Sequence, residues 1–152
     1  MILTQKETDL LKDLKSQEQL CIEKYTKYQS DACDPTLKQL FGGILTTEQK
    51  HLQTVNDLLS GKDVSTGTAP SATSQTFNGS PSSCSSEAKK NDGYLCRDAL
   101  AMEKHVSSMY DVSIFEFSCP SLRDTLAHIQ KEEQNHGQQL YAYLSTNGMY
   151  EG

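Results

Sequence analysis

Four glutamates and two histidines carry the chemistry that this sequence offers. Glu48-Gln49-Lys50-His51 and Glu133-Gln134-Asn135-His136 are two copies of Glu-x-x-His, and a further glutamate, Glu18 or Glu103, stands thirty residues before each. Positions three apart share one face of a helix, so each copy aims a carboxylate and an imidazole at the same point. Carboxylate oxygen and imidazole nitrogen suit Mn or Fe, whereas thiolate-preferring metals would want cysteine. One Glu from each of two helices plus Glu-x-x-His from each of two others is a donor set for two divalent ions, Fe or Mn. The candidate metal ligands are therefore Glu18, Glu48, His51, Glu103, Glu133 and His136, with no catalytic residue assigned beyond them. Four carboxylates hold −4 of the formal net charge of −6, and two divalent ions would balance them.

The elements that must position these donors follow from the apolar period, which is 3.5 residues and not 2. The first seam runs Glu7, Leu11, Leu14, Glu18, Cys21, Tyr25, Tyr28, in steps of four and three that place all seven on one helical stripe. The second runs Leu37, Phe41, Ile44, Glu48, His51, Val55, Leu58. The third runs Cys96, Ala99, Glu103, Val106, Tyr110, Ser113, Phe117, and the fourth Leu122, Leu126, Ile129, Glu133, His136, Leu140, Tyr143. Pro35 and Pro120 suit first helical turns, and Gly61 and Gly148 suit helix ends. Four helices are expected at about 4–31, 36–60, 90–117 and 121–146. At the middle of every seam stands a Glu, and no Lys or Arg shares these seams to neutralise it. A buried carboxylate is costly unless it is paired or bound to metal. The alternative from the same residues is a metal-free buried polar network.

The two halves match at a constant offset of 85: Glu18 with Glu103, Tyr25 with Tyr110, Pro35 with Pro120, Ile44 with Ile129, Glu48 with Glu133, His51 with His136. This is an internal duplication of a helical hairpin. Between the halves, residues 61–88 hold eight Ser and four Thr, with only Val64 and Phe77 from the core-forming set. Such a composition cannot offset its ordering entropy and reads as a flexible crossover. A 28-residue connection is too long for neighbouring antiparallel helices but long enough to run back along a helix of about 25 residues, roughly 38 Å. The expectation is one all-α domain over 1–152: hairpin 1–60, crossover 61–88 and hairpin 89–147. Its topology is that of a ferritin-like four-helix bundle with one long crossover between helices 2 and 3. The two hairpin turns then lie at opposite ends, so Cys33 and Cys119 should not pair.

Other residues weigh less. Glu132 precedes a ligand candidate and could hydrogen-bond a ligand histidine, solvent exposure being the alternative. Tyr25 and Tyr110 lie two turns from the Glu of their own helices, near 10 Å, which favours caps of the core over redox relays; with Glu132 they are the candidates to stand behind the ligands. His105 and His128 lie off the seams, and Cys21 reads as small core filler. Five cysteines without regular spacing argue against a disulfide framework, so they are read as mostly reduced. Net charge −6 with scattered Lys and Arg lacks the footprint of a nucleic-acid binder. No apolar run reaches the roughly 18 residues of a membrane span, and the opening residues have no signal-peptide pattern, so the protein is expected to be made in the cytoplasm.

The ligand set resembles that of the ferritin-like superfamily, which includes rubrerythrins, bacterioferritins and manganese catalases. Asp98-Ala-Leu-Ala-Met-Glu-Lys, Pro120-Ser-Leu-Arg and Tyr141-Ala-Tyr-Leu-Ser-Thr-Asn-Gly-Met-Tyr150 resemble spore coat F-type proteins of endospore-forming bacteria, with Gly148-Met149-Tyr150 where that family has Gly-Trp-Tyr. The likeness covers about residues 92–150 directly, and the first half through the duplication. It implies location in the spore coat, contact with other coat proteins and assembly without a signal peptide. Two functional classes follow. One is a di-metal oxidoreductase (peroxidase, catalase or ferroxidase-like) taking O2 or peroxide as substrate; the other is a structural coat building block whose metal site only secures the fold. Either is compatible with a homo-oligomer.

Overall fold

The structure, a computed structural model, describes residues 2–64, 77 and 79–150. Among these residues the chain forms four helices and no strand: α1 (Gln5–Asp31), α2 (Pro35–Leu59), α3 (Ser86–Glu116) and α4 (Pro120–Thr146). Thr4 and Glu7 close α1 with reciprocal side-chain-to-backbone bonds, Asp34 caps α2 ahead of Pro35, and Ser85 caps α3. Each cap satisfies N–H groups that the first turn leaves without an intrahelical partner. Because Ser85 supplies that cap, α3 opens at Ser86, four residues before the position expected from its apolar pattern. Gly61 and Gly148 have φ of 82° and 64°, the left-handed conformation that ends helices.

The seams face inward as their period requires. In α1 and α2 the buried residues are the seven of each predicted seam, and in α3 and α4 every predicted seam residue is buried as well. The second hairpin buries more, including Leu95, Leu100, Met102, Thr125, Asn135 and Leu144. The segments flanking it lie on its surface: Phe77 stacks edge-on against Tyr143, Asn147 receives the Ser82 N–H, and Tyr150 meets Tyr141.

Packing is closest within each hairpin, then between α1 and α3, and sparser again between α2 and α4. Lys6 pairs with Glu116 and Glu7 accepts from Ser118, so α1 starts where α3 ends. Tyr143 donates to Asp34, so α2 starts where α4 ends. Hence α2 and α3 run in the same direction. Val64 lies beside Thr125 at one end of the bundle and Phe77 against Tyr143 at the other, so the connection begins and finishes at opposite ends. Part of the crossover expected over 61–88, namely 65–76 and 78, lies outside the described residues. The two hairpin turns sit at opposite ends too, which separates Cys33 from Cys119; the five thiols are free, with Cys33 Sγ 2.6 Å from Cys84 Sγ.

Each turn is held by the other hairpin. Asp92 of α3, fully buried, accepts the N–H groups of Cys33 (2.8 Å) and Asp34 (3.0 Å), while Glu7 of α1 accepts the N–H (3.3 Å) and hydroxyl (3.4 Å) of Ser118. Glu7 and Asp92 are themselves 85 apart, as are Cys33 and Ser118. The duplication therefore preserves a reciprocal clamp as well as a core.

Candidate metal centre

Glu18 comes from α1, Glu48 and His51 from α2, Glu103 from α3, and Glu133 and His136 from α4. The bundle brings all six together, none more than 5% exposed. They fall into two overlapping groups, Glu18, Glu48, His51, Glu133 and Glu48, Glu103, Glu133, His136, in each of which one donor atom per residue lies within 4.8 Å of the others. Glu48 and Glu133 belong to both. His51 Nδ1 is 2.8 Å from Glu133 Oε1, 3.5 Å from Glu48 and 3.8 Å from Glu18. His136 Nδ1 is 3.0 Å from Glu48 Oε1, 3.5 Å from Glu103 and 3.6 Å from Glu133. The two imidazoles thus take crosswise positions, each closest to the glutamate of the other's Glu-x-x-His, with ring centroids 6.1 Å apart.

The tyrosines are also crosswise. Tyr25 Oη donates to Glu103 (2.5 Å) and Tyr110 Oη to Glu18 (2.6 Å). Counting along each tyrosine's own helix places it two turns from a glutamate, but the antiparallel α1–α3 pairing brings it to the glutamate of the other helix. Burial, reinforced by the nearby carboxylates, pushes both phenols well above their usual pKa, so they remain donors.

Around the cluster, no Lys or Arg is found among the described buried residues. Both oxygens of Glu48 and Glu133, one oxygen each of Glu18 and Glu103, and Nδ1 of both histidines are buried without a well-formed hydrogen bond. Polar atoms left in this state are costly, and the few that native structures retain call for a ligand or a function. Burial pushes Glu18 and Glu103 well above the usual carboxylate range, helped by neighbouring glutamates. Burial acts the same way on Glu48, yet the closeness of the Glu18 carboxyl and of the His136 and His51 imidazoles outweighs it and sets Glu48 well below that range. Burial also opposes charge on His51 and His136, but the surrounding carboxylates outweigh it and hold both well above the usual imidazole range. The cluster compensates its negative charge with protons wherever no cation is present. Buried carboxylate and imidazole groups in this arrangement could hold a metal.

Behind the six clustered residues the halves diverge. Glu132 Oε1 lies 3.2 Å from His51 Nε2 and 3.1 Å from His128 Nε2. His128, off the seam, is therefore half-buried and tied to the carboxylate that orients His51. The position equivalent to Glu132 in the first hairpin is Thr47, whose hydroxyl goes to Gly43 O at 3.4 Å. His105 is exposed, and Cys21, its thiol pushed far up by burial and by the cluster's carboxylates, is a neutral core residue. Neither Asp92 nor the His128–Glu132 contact is apparent from the apolar seams; the offset of Asp92 from Glu7 was the available signal for the first.

Fold and centre together define a four-helix bundle of two duplicated hairpins around a buried carboxylate–histidine cluster. Residues 91–151, holding most of α3, all of α4 and the segment after it, match the family model of the Coat F domain. The likeness to spore coat F-type proteins seen in residues 98–104, 120–123 and 141–150 rests on that match as well as on those motifs. No curated protein and no solved structure matches the chain at a significant level. None of the described helices is long and apolar enough to cross a membrane.

Proposed function

We propose that this chain is a spore coat protein, working as one domain, whose core binds two divalent ions, Fe or Mn, and turns them to the consumption of O2 or peroxide. Glu18 and His51 would hold one ion and Glu103 and His136 the other, with Glu48 and Glu133 lending oxygens to both. The observation that carries the reading is the set of eight buried donor atoms without well-formed hydrogen bonds and without a buried Lys or Arg beside them. Apolar residues of similar volume would commonly be as stable there or more so, which makes the cluster expensive for a purely structural bundle. Bound ions of this kind supply Lewis acidity and redox equivalents to a small oxidant. The chain's own contribution is to orient His51 through Glu132 and to hold protons on Tyr25 and Tyr110 beside Glu103 and Glu18. The likeness of the ligand set to ferritin-like proteins agrees with this reading.

A second reading, a coat building block whose ions only secure the fold, is favoured by the exposed Tyr94, Val112 and Phe115, apolar surface suited to packing against other coat proteins or a second copy. The deciding experiment purifies the chain, measures Fe and Mn by elemental analysis, and follows peroxide and O2 consumption against Glu18→Ala/Glu103→Ala. Faster consumption by the intact, loaded chain supports the oxidant reading. Equal consumption with metal bound to the intact chain decides for the structural one, and absence of bound Fe or Mn after loading overturns the metal centre itself.

A further inference from the structure

A cleft of about 270 Å³ opens between α3 and α4, lined by Leu100, Lys104, Ser107, Gln134 and Gly137 and by two members of the cluster, Glu103 and Glu133. Both glutamates belong to the His136 group of donors. The volume accommodates several water-sized molecules. Its walls depend on two small residues. At the positions 85 earlier, where the first hairpin carries the same core, Ser107 is replaced by Ile22 and Gly137 by Leu52.

Glycine inside a helix costs about 1 kcal/mol relative to alanine and is ordinarily justified by close packing. That justification is absent at Gly137: an added Cβ would meet only Leu100 Cδ1, at 3.7 Å, an ordinary contact. Gly137 lines the cleft, and a larger side chain there would extend into it. Lys104 stands exposed on the rim, with Gln19 at the equivalent place.

We infer that the α3–α4 cleft is the port through which divalent ions and small reactants reach the buried cluster, entering at the Glu103–Glu133–His136 half, with Ser107 and Gly137 as the residues that keep it open. This rests on the metal-binding reading above. Glu103 and Glu133 would then be the first donors an arriving ion meets, and the Glu18–His51 half would fill from within through the shared Glu48 and Glu133.

The test is the rate at which metal-free protein takes up Co(II), followed by its visible absorbance in a stopped-flow instrument. Ser107→Ile/Gly137→Leu gives the second hairpin the residues of the first. Uptake at least tenfold slower than wild type, with the same final stoichiometry, is the expected result; the reverse change, Leu52→Gly, should not slow it. Unchanged uptake in the double variant overturns the port while leaving the metal centre standing, and a wild-type chain that takes up no Co(II) removes both. Should the double variant fail to fold by circular dichroism, Gly137→Val alone carries the test with the same slowing required.

Discussion

His51 and His136 occupy equivalent places in two copies of one hairpin, yet their outer surroundings share little. His51 is braced by Glu132, which is itself tied to His128, whereas the residue equivalent to Glu132 is Thr47, turned to its own helix backbone. The cleft lined by Glu103 and Glu133 adjoins the His136 group, while Ile22 and Leu52 stand at the places of the first hairpin corresponding to Ser107 and Gly137. The six inner residues and the tyrosines that bond to Glu103 and Glu18 are repeated, whereas Glu132, His128, Ser107 and Gly137 are not. A duplicated core thus repeats the carboxylate and imidazole groups, and differences outside it leave one half braced by Glu132 and the other beside the cleft.

The largest expected effect breaks the symmetry at its shared members. Because Glu48 and Glu133 serve both groups, Glu48→Ala is expected to abolish binding of both ions, whereas His136→Ala loses one and leaves the half braced by Glu132. With Mn(II) at a hundredfold excess over Kd, each bound ion adds about 2.7 kcal/mol. The melting temperature in Mn(II) should therefore fall by roughly 10–20 °C for Glu48→Ala and about half that for His136→Ala. One ion retained by Glu48→Ala in elemental analysis would show that Glu48 is not shared.

Glu132→Gln sharpens the contrast between the halves. Loss of an outer carboxylate from a ligand histidine typically weakens metal binding 10–100-fold. Isothermal titration should show one ion of the pair weakened by that factor, with Thr47→Val affecting neither. Weakening of both alike would place Glu132 behind the whole cluster.

The tyrosines test where the symmetry holds. Tyr25→Phe and Tyr110→Phe each remove the hydroxyl that one buried carboxylate oxygen accepts from, at a cost of about 1–2 kcal/mol by urea unfolding. The two costs should agree within roughly 0.5 kcal/mol, and a larger gap would mean that the crosswise contacts are unequal.

The smallest effect concerns the turn clamps. N–H groups of Thr4 and Ser118 stabilise the ionised Glu7 and lower its pKa below the ordinary 4.5. A carboxyl with a depressed folded-state pKa contributes stability that is present above its unfolded value and lost as pH falls through the folded one. In Glu7→Gln the acid side of the stability profile below pH 4.5 should be shallower than in the wild type. An identical acid slope would mean that the Ser118 turn is held by other means.

Much of the fold was legible because Leu11, Leu14, Phe41, Ile44, Leu126 and Leu140 repeat at a spacing that only a helix can bring to one side. The six donors were legible for the same reason: they interrupt those stripes at equivalent heights. What the stripes could not convey was contact between helices. Along its own helix Tyr25 is nearest in sequence to Glu18, while its hydroxyl meets Glu103, because register between α1 and α3 is set by three-dimensional packing. The start of α3 differs from the expected one because Ser85 and Ser86 look like linker by composition, and only the cap that Ser85 gives to Ala88 N marks a helix there. Leu100, Met102 and Leu144 were not on any seam; they are covered in a hairpin that also carries Phe77, Met149 and Tyr150 on its surface.

The reciprocal clamps have a consequence for assembly. Asp92 closes the turn of the first hairpin and Glu7 closes the turn of the second, and Tyr25 and Tyr110 likewise bond across the division. Neither hairpin completes itself, so the bundle is in effect a heterodimer whose partners share one chain. Such a tether holds the second hairpin at an effective concentration on the order of millimolar. Nothing in the clamps identifies which chain the second hairpin comes from. Where chains are packed more densely than that, an exchange of hairpins between neighbours would keep every clamp and every ligand contact, joining separate molecules into a swapped dimer or an open array without a new interface.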